Sequence, residues 1–333
     1  MRYFGSKASV VEAIYRLARQ RLPDGSFCDP FGGIGVVGAY FKQRGYSVTT
    51  ADHLWAAHCF QCAAVAAQRQ PSFSRVRRFL GAAHRTEILS HLNNLRSEEG
   101  WLIEEYARRR QFFTVQNAER IEACRCTIGN WRARGLLSQM EYRILIASLI
   151  DSMDRVANTA GTYYAYLKKW YRKALADFEF RLIPPTPGPC RCTALLADAS
   201  DVVRRQQFDI LYLDPPYNDR DYASYYHLPE SIARSESPPV TGWGGLPMSV
   251  RPKSQFTCRR TALGALAGLL DVARCRLLMF HYSEEGLIRR EDLIHLLRTM
   301  GRVRCYRVDA LGYSTRPFAA RQRSHLLYTV YNA

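Results

Sequence analysis

The residues best suited to chemistry are Asp214, Pro215, Pro216 and Tyr217, which directly follow the apolar run Phe208–Leu213. Such a run predicts a buried parallel strand, and ligands bind at the carboxyl ends of such strands. The exocyclic amine of adenine is a poor nucleophile, because its lone pair is delocalised into the ring. The Asp214 carboxylate and the Pro215 carbonyl can accept its two N–H bonds, and the two prolines fix that carbonyl. Tyr217 offers a face on which an extruded base can stack. The alternative is a proline-rich turn with a capping aspartate.

A glycine-rich turn follows the first strand-like segment, residues 26–29. Its glycines, among them Gly33 and Gly35, let the backbone approach a ligand closely, and a helix N-terminus follows. The methionyl part of S-adenosylmethionine would pack against this turn beside Phe31, where Asp29 can reach its ammonium. Asp52 ends the next predicted strand and is placed to accept the ribose hydroxyls. Alone, the turn also fits a dinucleotide site or an ordinary tight bend; its occurrence with residues 214–217 favours the methyl donor.

The elements around these motifs predict an α/β fold, with a parallel sheet built from both ends of the chain. The spacing of apolar residues predicts a first helix over 9–22. A βαβ unit follows, made of a strand at 26–29, a helix through Phe41 and a strand at 46–51. Later segments repeat the pattern: strands at 208–213, 276–280, 302–308 and 325–331, and a helix at 260–273. We therefore expect a catalytic domain of residues 1–70 and 183–333, with the last two strands as a hairpin.

The middle of the chain has a different character. Residues 71–182 hold 19 Lys and Arg against 12 Asp and Glu, and the proline-rich stretch 183–189 follows as a linker. We expect this block to be a helical target-recognition insertion. Helices are predicted at 84–110, 114–134, 138–157 and 162–176.

The charge of the whole chain points to a polyanionic partner. The formal net charge is +17 and the isoelectric point about 9.6, which favours nucleic acid over a basic surface that only aids solubility. No apolar run reaches the length of a membrane span, and no signal peptide is recognisable. A cytoplasmic, nucleoid-associated protein is expected, whose ten cysteines are reduced and hold no metal.

These motifs, in this order, resemble those of the Dam-like DNA adenine methylases of bacteria and phages, in their alpha arrangement. The matching segments are residues 2–7, 29–35, 214–217, 218–228 and 280–287. The resemblance is strong at the two ends and poor over the helical middle. It implies a Rossmann-like S-adenosylmethionine-dependent methyltransferase sheet and the methylation of adenine N6 in double-stranded DNA by base flipping. At Gly32 the chain departs from the family, whose members often carry a hydroxyl residue there.

The resemblance also implies further cofactor contacts. Tyr3 and Lys7 would contact the methionyl end, and Asp198 would accept the amino group of the cofactor adenine. Without the family, Lys7 is equally well an ordinary solvated lysine, and Asp198 reads more simply as a loop or helix-capping residue.

Several residues are candidates for contact with DNA. Asn218 and Arg220 lie just past the site and can touch the flipped nucleotide or its phosphate. Tyr222 either lines the base pocket or packs in the core. A basic tip near the C-terminus either contacts DNA or is a solvated loop; it contains Arg316, Arg321 and Arg323.

The sequence thus predicts a site-specific DNA adenine-N6 methyltransferase. The alternatives are methylation of cytosine N4, of an RNA base or of a protein glutamine, and a catalytically silent DNA-binding module. Serine at position 214 is usual for the cytosine enzymes and asparagine for the glutamine enzymes, so Asp214 argues against both. A cognate restriction endonuclease is a candidate partner, while the recognition sequence and the oligomeric state are left open.

Overall fold

The computed structural model describes residues 3, 5–249, 253–311 and 322–331. The chain divides into two compact units, which we call the sheet unit and the helical unit. The sheet unit comprises Gly5–Gln68, Thr186–Asp221 and Pro252–Ala333. The helical unit comprises Met1–Phe4, Arg69–Pro185 and Tyr222–Arg251.

The secondary-structure elements are numbered in chain order. The strands are β1 (Ser26–Asp29), β2 (Ser47–Asp52), β3 (Thr193–Leu196), β4 (Phe208–Leu213), β5 (Val240–Thr241), β6 (Leu246–Pro247), β7 (Cys275–Ser283), β8 (Arg302–Leu311) and β9 (Gln322–Tyr331). The α-helices are α1 (Val11–Arg19), α2 (Val36–Gln43), α3 (Trp55–Gln61), α4 (Ser74–Leu80), α5 (Arg85–Asn94), α6 (Trp101–Ile103), α7 (Val115–Ala133), α8 (Gln139–Asp154), α9 (Ala199–Arg205), α10 (Tyr222–Tyr225), α11 (His227–Arg234), α12 (Ala262–Val272) and α13 (Arg290–Arg298). Short π-helical segments extend α3 (Cys62–Ala66) and α6 (Glu104–Arg108), and 3₁₀ turns occur at Arg172–Leu175 and Gln255–Thr257.

The sheet unit is built on seven of the described strands, in the order β3-β2-β1-β4-β7-β9-β8. The first five strands are parallel to one another, whereas β9 runs antiparallel to both β7 and β8. The strand order reverses at β1 and β4, and in such sheets ligands bind in the crevice outside the strand ends at the reversal. The predicted Rossmann-like sheet and the terminal hairpin are confirmed.

Helices cover both faces of this sheet because alternate strand residues point to opposite sides. On one face α1 and α2 pack over Phe27, Ile210 and Leu277. On the other face α9, α12 and α13 pack over Leu211 and Leu278. Both faces are therefore buried, which explains why β4 and β7 read as nearly continuous apolar runs rather than as alternating ones.

In the helical unit, α7 packs against α5, α6 and α8, and α11 packs against α8. Every residue of α8 from Ile144 to Asp154 is buried, and a capping box between Ser138 and Glu141 fixes the start of the helix. Thr114 caps α7 through its hydroxyl, which accepts the Asn117 N–H at 3.2 Å.

Two expectations about the middle of the chain were wrong in detail. No α-helix spans 162–176; Tyr166 instead forms an antiparallel bridge with Thr159, and the Leu167 N–H is donated to Asn158 O at 2.9 Å. The aromatic spacing resembles that of a helix, but it arises in an irregular segment whose only fully buried aromatic side chain is that of Tyr163. The predicted helix 84–110 is interrupted between Asn94 and Trp101.

The boundary of the insertion also differs. The catalytic domain was predicted to include all of 183–333, but Tyr222–Arg251 packs with the helical unit. The reason is the burial of α11 against α8, a contact between distant segments that local sequence patterns do not reveal. None of the helices in the described residues is both long and apolar enough to cross a membrane.

Candidate active site

Asp214 is the first residue after β4, and its side chain forms an ion pair with Lys7. The Lys7 ammonium also donates a hydrogen bond to Gly5 O at 3.0 Å. Only 6% of the Lys7 side chain and 14% of the Asp214 side chain are exposed. The ion pair was not foreseen from sequence, because it joins residues 207 positions apart.

The predicted glycine-rich turn lies between β1 and α2. Gly33 (φ 50°) and Gly35 (φ 81°) adopt left-handed backbone conformations that favour glycine. The Gly33 N–H is donated to Asp52 Oδ2 at 3.1 Å, and Gln61 Nε2 donates to Gly33 O at 2.9 Å. Asp52, at the end of β2, thus holds the turn in shape. Phe31 packs edge-to-face on Phe256 with ring centroids 5.2 Å apart.

Gly32 is required by close approach rather than by its backbone angles. A Cβ atom at this position would stand 2.1 Å from Thr50 Oγ1 and 2.9 Å from Gln61 Nε2. The space that a side chain at position 32 would take is therefore filled by the buried Thr50 hydroxyl from β2. Neither Thr50 nor Gln61 was identified from the sequence, since both look like ordinary strand and helix residues.

The three carboxyls of the site interact electrostatically. Burial raises the pKa of Asp29 well above its usual range, and the charges of Asp214 and Asp52 raise it further. Burial also raises the pKa of Asp214, opposed by the Lys7 ammonium. Asp29 is 2% exposed, and its Oδ1 has no hydrogen-bond partner within the described part of the chain. A buried carboxylate oxygen without a partner is costly, so this position favours a cation.

A buried polar group adjoins the motif on the neighbouring strand. The hydroxyl of Tyr212 lies 3.0 Å from His281 Nδ1, and burial lowers the pKa of His281 well below its usual range. Tyr217 is 8% exposed, with its ring against those of Tyr282 and His325. Its carbonyl accepts the Leu287 N–H at 3.0 Å, which fixes the backbone after the two prolines.

The remaining predicted cofactor contacts are distributed over both units. Asp198 caps α9, and its Oδ1 accepts the Ser200 N–H at 2.9 Å, as the simpler interpretation of this residue expected. Tyr3 belongs to the helical unit, where its ring stacks on Tyr226 with centroids 4.7 Å apart and lies tilted against Tyr222. The cofactor contacts expected of Asp198 and Tyr3 therefore stay predictions.

The predicted DNA contacts are only partly described by the structure. Asn218 and Arg220 are half-buried in the sheet unit, and Asn218 Oδ1 accepts the Arg220 N–H at 3.2 Å. Arg323 lies in β9, but its side chain is outside the described part. Arg316 and Arg321 lie outside the described residues altogether.

Comparison with known proteins identifies relatives over most of the chain. Residues 3–249 match the model of the D12 class N6 adenine-specific DNA methyltransferases. The Type II methyltransferase M.FokI of Planomicrobium okeanokoites is 32% identical over 94% of this chain and 49% of its own length. The modification methylase StsI of Streptococcus sanguinis is 33% identical over 90% of this chain and 46% of its own length.

A third relative is of similar length to this chain. The Type II methyltransferase M.NlaIII of Neisseria lactamica is 29% identical over 91% of this chain and 89% of its own length. Against the first two relatives, by contrast, the chain spans about half of their length. The matched family model covers both the glycine-rich turn and the Asp-Pro-Pro-Tyr motif. This chain therefore belongs to the D12 class N6 adenine-specific DNA methyltransferase family.

Proposed function

We propose that this chain transfers a methyl group from S-adenosylmethionine to the N6 amino group of adenine in double-stranded DNA. The observation that carries the proposal is the placement of Asp214 at the tip of β4, electrostatically coupled to Asp29 at the tip of β1. These strands flank the point where the strand order reverses. Family membership supports the same reaction.

The residues present fit a cationic cofactor. The carboxyls of Asp52 and Asp214 both act electrostatically on that of Asp29, and the Lys7 ammonium is paired with Asp214. S-adenosylmethionine carries an ammonium and a sulfonium, and the unpartnered Asp29 Oδ1 is suited to accept the ammonium N–H bonds. When bound, the cofactor would supply an electrophilic methyl group.

The proposed cofactor contacts follow the predicted motifs. The backbone of the turn at Phe31, Gly33 and Gly35 would approach the methionyl part, because a glycine backbone presents no Cβ there. The Asp52 carboxylate, already oriented by the Gly33 N–H, would accept the ribose hydroxyls. The same proposal assigns further contacts with the cofactor to Tyr3, Lys7, Asp198 and Asp214.

Asp214 and Pro215 would act on the target base. The Asp214 carboxylate and the Pro215 carbonyl would each accept one N–H bond of the adenine amine, which favours a tetrahedral nitrogen with a free lone pair. Because the site is desolvated, such hydrogen bonds are stronger than in water. The nitrogen becomes cationic on methyl transfer and only then loses a proton, so no strong base is needed before attack. Tyr217 would stack on the base.

DNA would be held by contacts outside this catalytic group. Asn218, Arg220 and Tyr222 directly follow the motif and would contact the flipped nucleotide or its phosphate. The helical unit would recognise the target sequence, and the basic C-terminal tip would contact phosphates. Because these contacts replace counterions, binding should weaken steeply with salt. A relative named as a modification methylase supports the further proposal that a cognate restriction endonuclease accompanies the chain.

The experiment is a methyl-transfer assay with the purified chain and S-adenosylmethionine labelled on the methyl group. Duplex DNA and RNA are offered separately, and each product is digested to nucleosides. We expect label in N6-methyldeoxyadenosine alone. Label in N4-methylcytosine or in RNA would replace the proposal with the corresponding alternative. A chain that binds both DNA and cofactor but transfers no label would be a silent DNA-binding module.

A further inference from the structure

The helical unit presents a tryptophan at the tip of a two-stranded hairpin. Strands β5 and β6 pair antiparallel, and the turn between them contains Trp243, whose side chain is 60% exposed. Gly242 (φ 69°) and Gly245 (φ 66°) supply the left-handed conformations that this tight turn needs. Tryptophan is highly buried on average, so an indole held in solvent by a defined turn points to an interaction surface.

The hairpin is fixed by contacts on its inner side. Arg110 Nε donates to Gly242 O at 3.1 Å, and the Tyr106 hydroxyl donates to Gly245 O at 2.7 Å. A Cβ atom on Gly244 would stand 2.3 Å from Tyr164 O, so the backbone of the turn lies directly against the neighbouring segment. The tip is therefore held at all three glycines of the turn, Gly242, Gly244 and Gly245, and has little freedom to fold its tryptophan away.

One face of the indole is already occupied within the unit. The Tyr166 ring stacks on Trp243 with centroids 4.7 Å apart and an angle of 19° between the planes. Tyr166 is itself held by its bridge to Thr159. The result is a two-ring stack whose outer ring faces solvent over most of its area. Because both rings are already ordered, stacking a further planar group on the outer face would cost little additional side-chain entropy.

The segment that provides Tyr166 is strongly basic. Residues 164–173 contain four Lys or Arg and no Asp or Glu. Lys168 and Lys169 are both exposed, and their Cα atoms lie at most about 7 Å and about 11 Å along the chain from that of Tyr166. A planar aromatic surface bordered by positive charge complements a nucleic acid, whose bases stack and whose phosphates attract Lys.

We propose that Trp243, backed by Tyr166, is a stacking platform for the face of an unpaired DNA base, with Lys168 and Lys169 contacting the adjacent phosphates. The inference rests on the proposed function, since it takes the DNA substrate as its partner, and it adds a contact that the catalytic motifs do not contain. A base pair opened by the flipping of one nucleotide exposes such a surface.

The test compares variants of the full chain by the anisotropy of short labelled DNA duplexes, one fully paired and one with a single unpaired adenine. Trp243→Ala should weaken binding of the unpaired duplex by about tenfold and of the paired duplex by less. Trp243→Phe, which keeps a ring, should retain most of the affinity. Phe79→Ala removes another exposed aromatic of the helical unit and should change nothing.

Replacing both lysines by alanine should weaken binding to the two duplexes equally and lower the slope of log Kd against log salt by about two. Equal affinity of wild type and Trp243→Ala for both duplexes would overturn the platform. A change in sedimentation without a change in DNA affinity would also overturn it, in favour of a protein-binding surface. If either of these two outcomes is found and the wild type still methylates DNA, only the stacking platform is disproved. If the wild type neither binds nor methylates DNA, the proposed function itself is disproved.

Discussion

The Lys7 ammonium and the Asp214 carboxylate form an ion pair at the tip of β4, where both side chains are largely withdrawn from solvent. The pair joins the N-terminal segment of the sheet unit to the Asp-Pro-Pro-Tyr motif. Burial raises the pKa of Asp214, and Lys7 opposes that rise. Lys7 thereby helps to keep Asp214 ionised, in the form that can accept hydrogen bonds from an amine.

Replacement of Asp214 by alanine should abolish methylation, while the cofactor still binds through its other proposed contacts. We expect at least about a hundredfold loss in the single-turnover rate, because a preorganised acceptor at the reacting nitrogen is removed. Rapid quench with labelled cofactor measures the rate, and equilibrium dialysis measures binding. Asp271→Asn, an exposed aspartate on α12, serves as the control. A turnover close to wild type in Asp214→Ala would disprove the role of this carboxylate.

Replacement of Lys7 by methionine should move the pH dependence of catalysis. Without the ammonium, the pKa of Asp214 is raised further, so the carboxylate is protonated at a higher pH. The acid limb of the single-turnover rate should therefore shift to higher pH, and activity should partly recover as the pH rises. Lys7→Arg, which keeps the charge, should shift the limb less. An unshifted acid limb with a uniformly lower rate would show that Lys7 does not act through Asp214.

Replacement of Asp29 by asparagine should weaken cofactor binding and stabilise the free protein. Because folding raises the pKa of Asp29, the unfolded chain loses this proton first, and the folded state loses stability as the pH rises from about 4 through the folded pKa. Removing the carboxyl removes that loss, so Tm at neutral pH should rise by roughly 3 °C.

The Asp29 prediction is checked by thermal unfolding across pH, with and without S-adenosylmethionine. The difference between the variant and wild type should vanish at low pH, where the Asp29 carboxyl is protonated in both states. Cofactor should raise the Tm of wild type more than that of Asp29→Asn. If the variant melts lower than wild type at neutral pH, the carboxyl has a stabilising partner and the proposed cation site is wrong.

The contact between Gly32 and Thr50 predicts a non-additive pair of substitutions. Gly32→Ala alone should destabilise the protein by about 1–3 kcal/mol, because the new Cβ would overlap the Thr50 hydroxyl. Thr50→Ala should relieve most of this overlap, so the double variant should be more stable than the sum of the single effects implies. Urea unfolding of the four proteins gives the coupling energy. If the effects of the two substitutions on the free energy of unfolding simply add, the Thr50 side chain does not contact the turn at Gly32.

The sequence predicted the sheet unit well for identifiable physical reasons. The β4 strand is buried on both faces, so its apolar run is continuous, and Asp214 follows where that run stops. The turn around Gly33 and Gly35 was equally predictable, because both residues adopt left-handed backbone conformations that favour glycine. Each of these features is encoded within a few consecutive residues.

Features that depend on distant segments were missed. The aromatic stretch around Tyr166 has helical spacing but is held by hydrogen bonds to Asn158, and α11 packs against α8 rather than with the sheet unit. The Lys7–Asp214 pair and the filling of the Gly32 site by Thr50 are likewise tertiary contacts. Local residue patterns carry no information on such pairings, since they arise only when the strands are assembled.

The most direct test of the proposed reaction is mass spectrometry of nucleosides from the DNA of a host that lacks adenine methylation and expresses this chain. Wild type should produce N6-methyldeoxyadenosine, and Asp214→Ala at equal expression should produce none. The modified base at similar levels with both chains, or N4-methylcytosine in its place, would contradict a reaction centred on the carboxylate at the tip of β4.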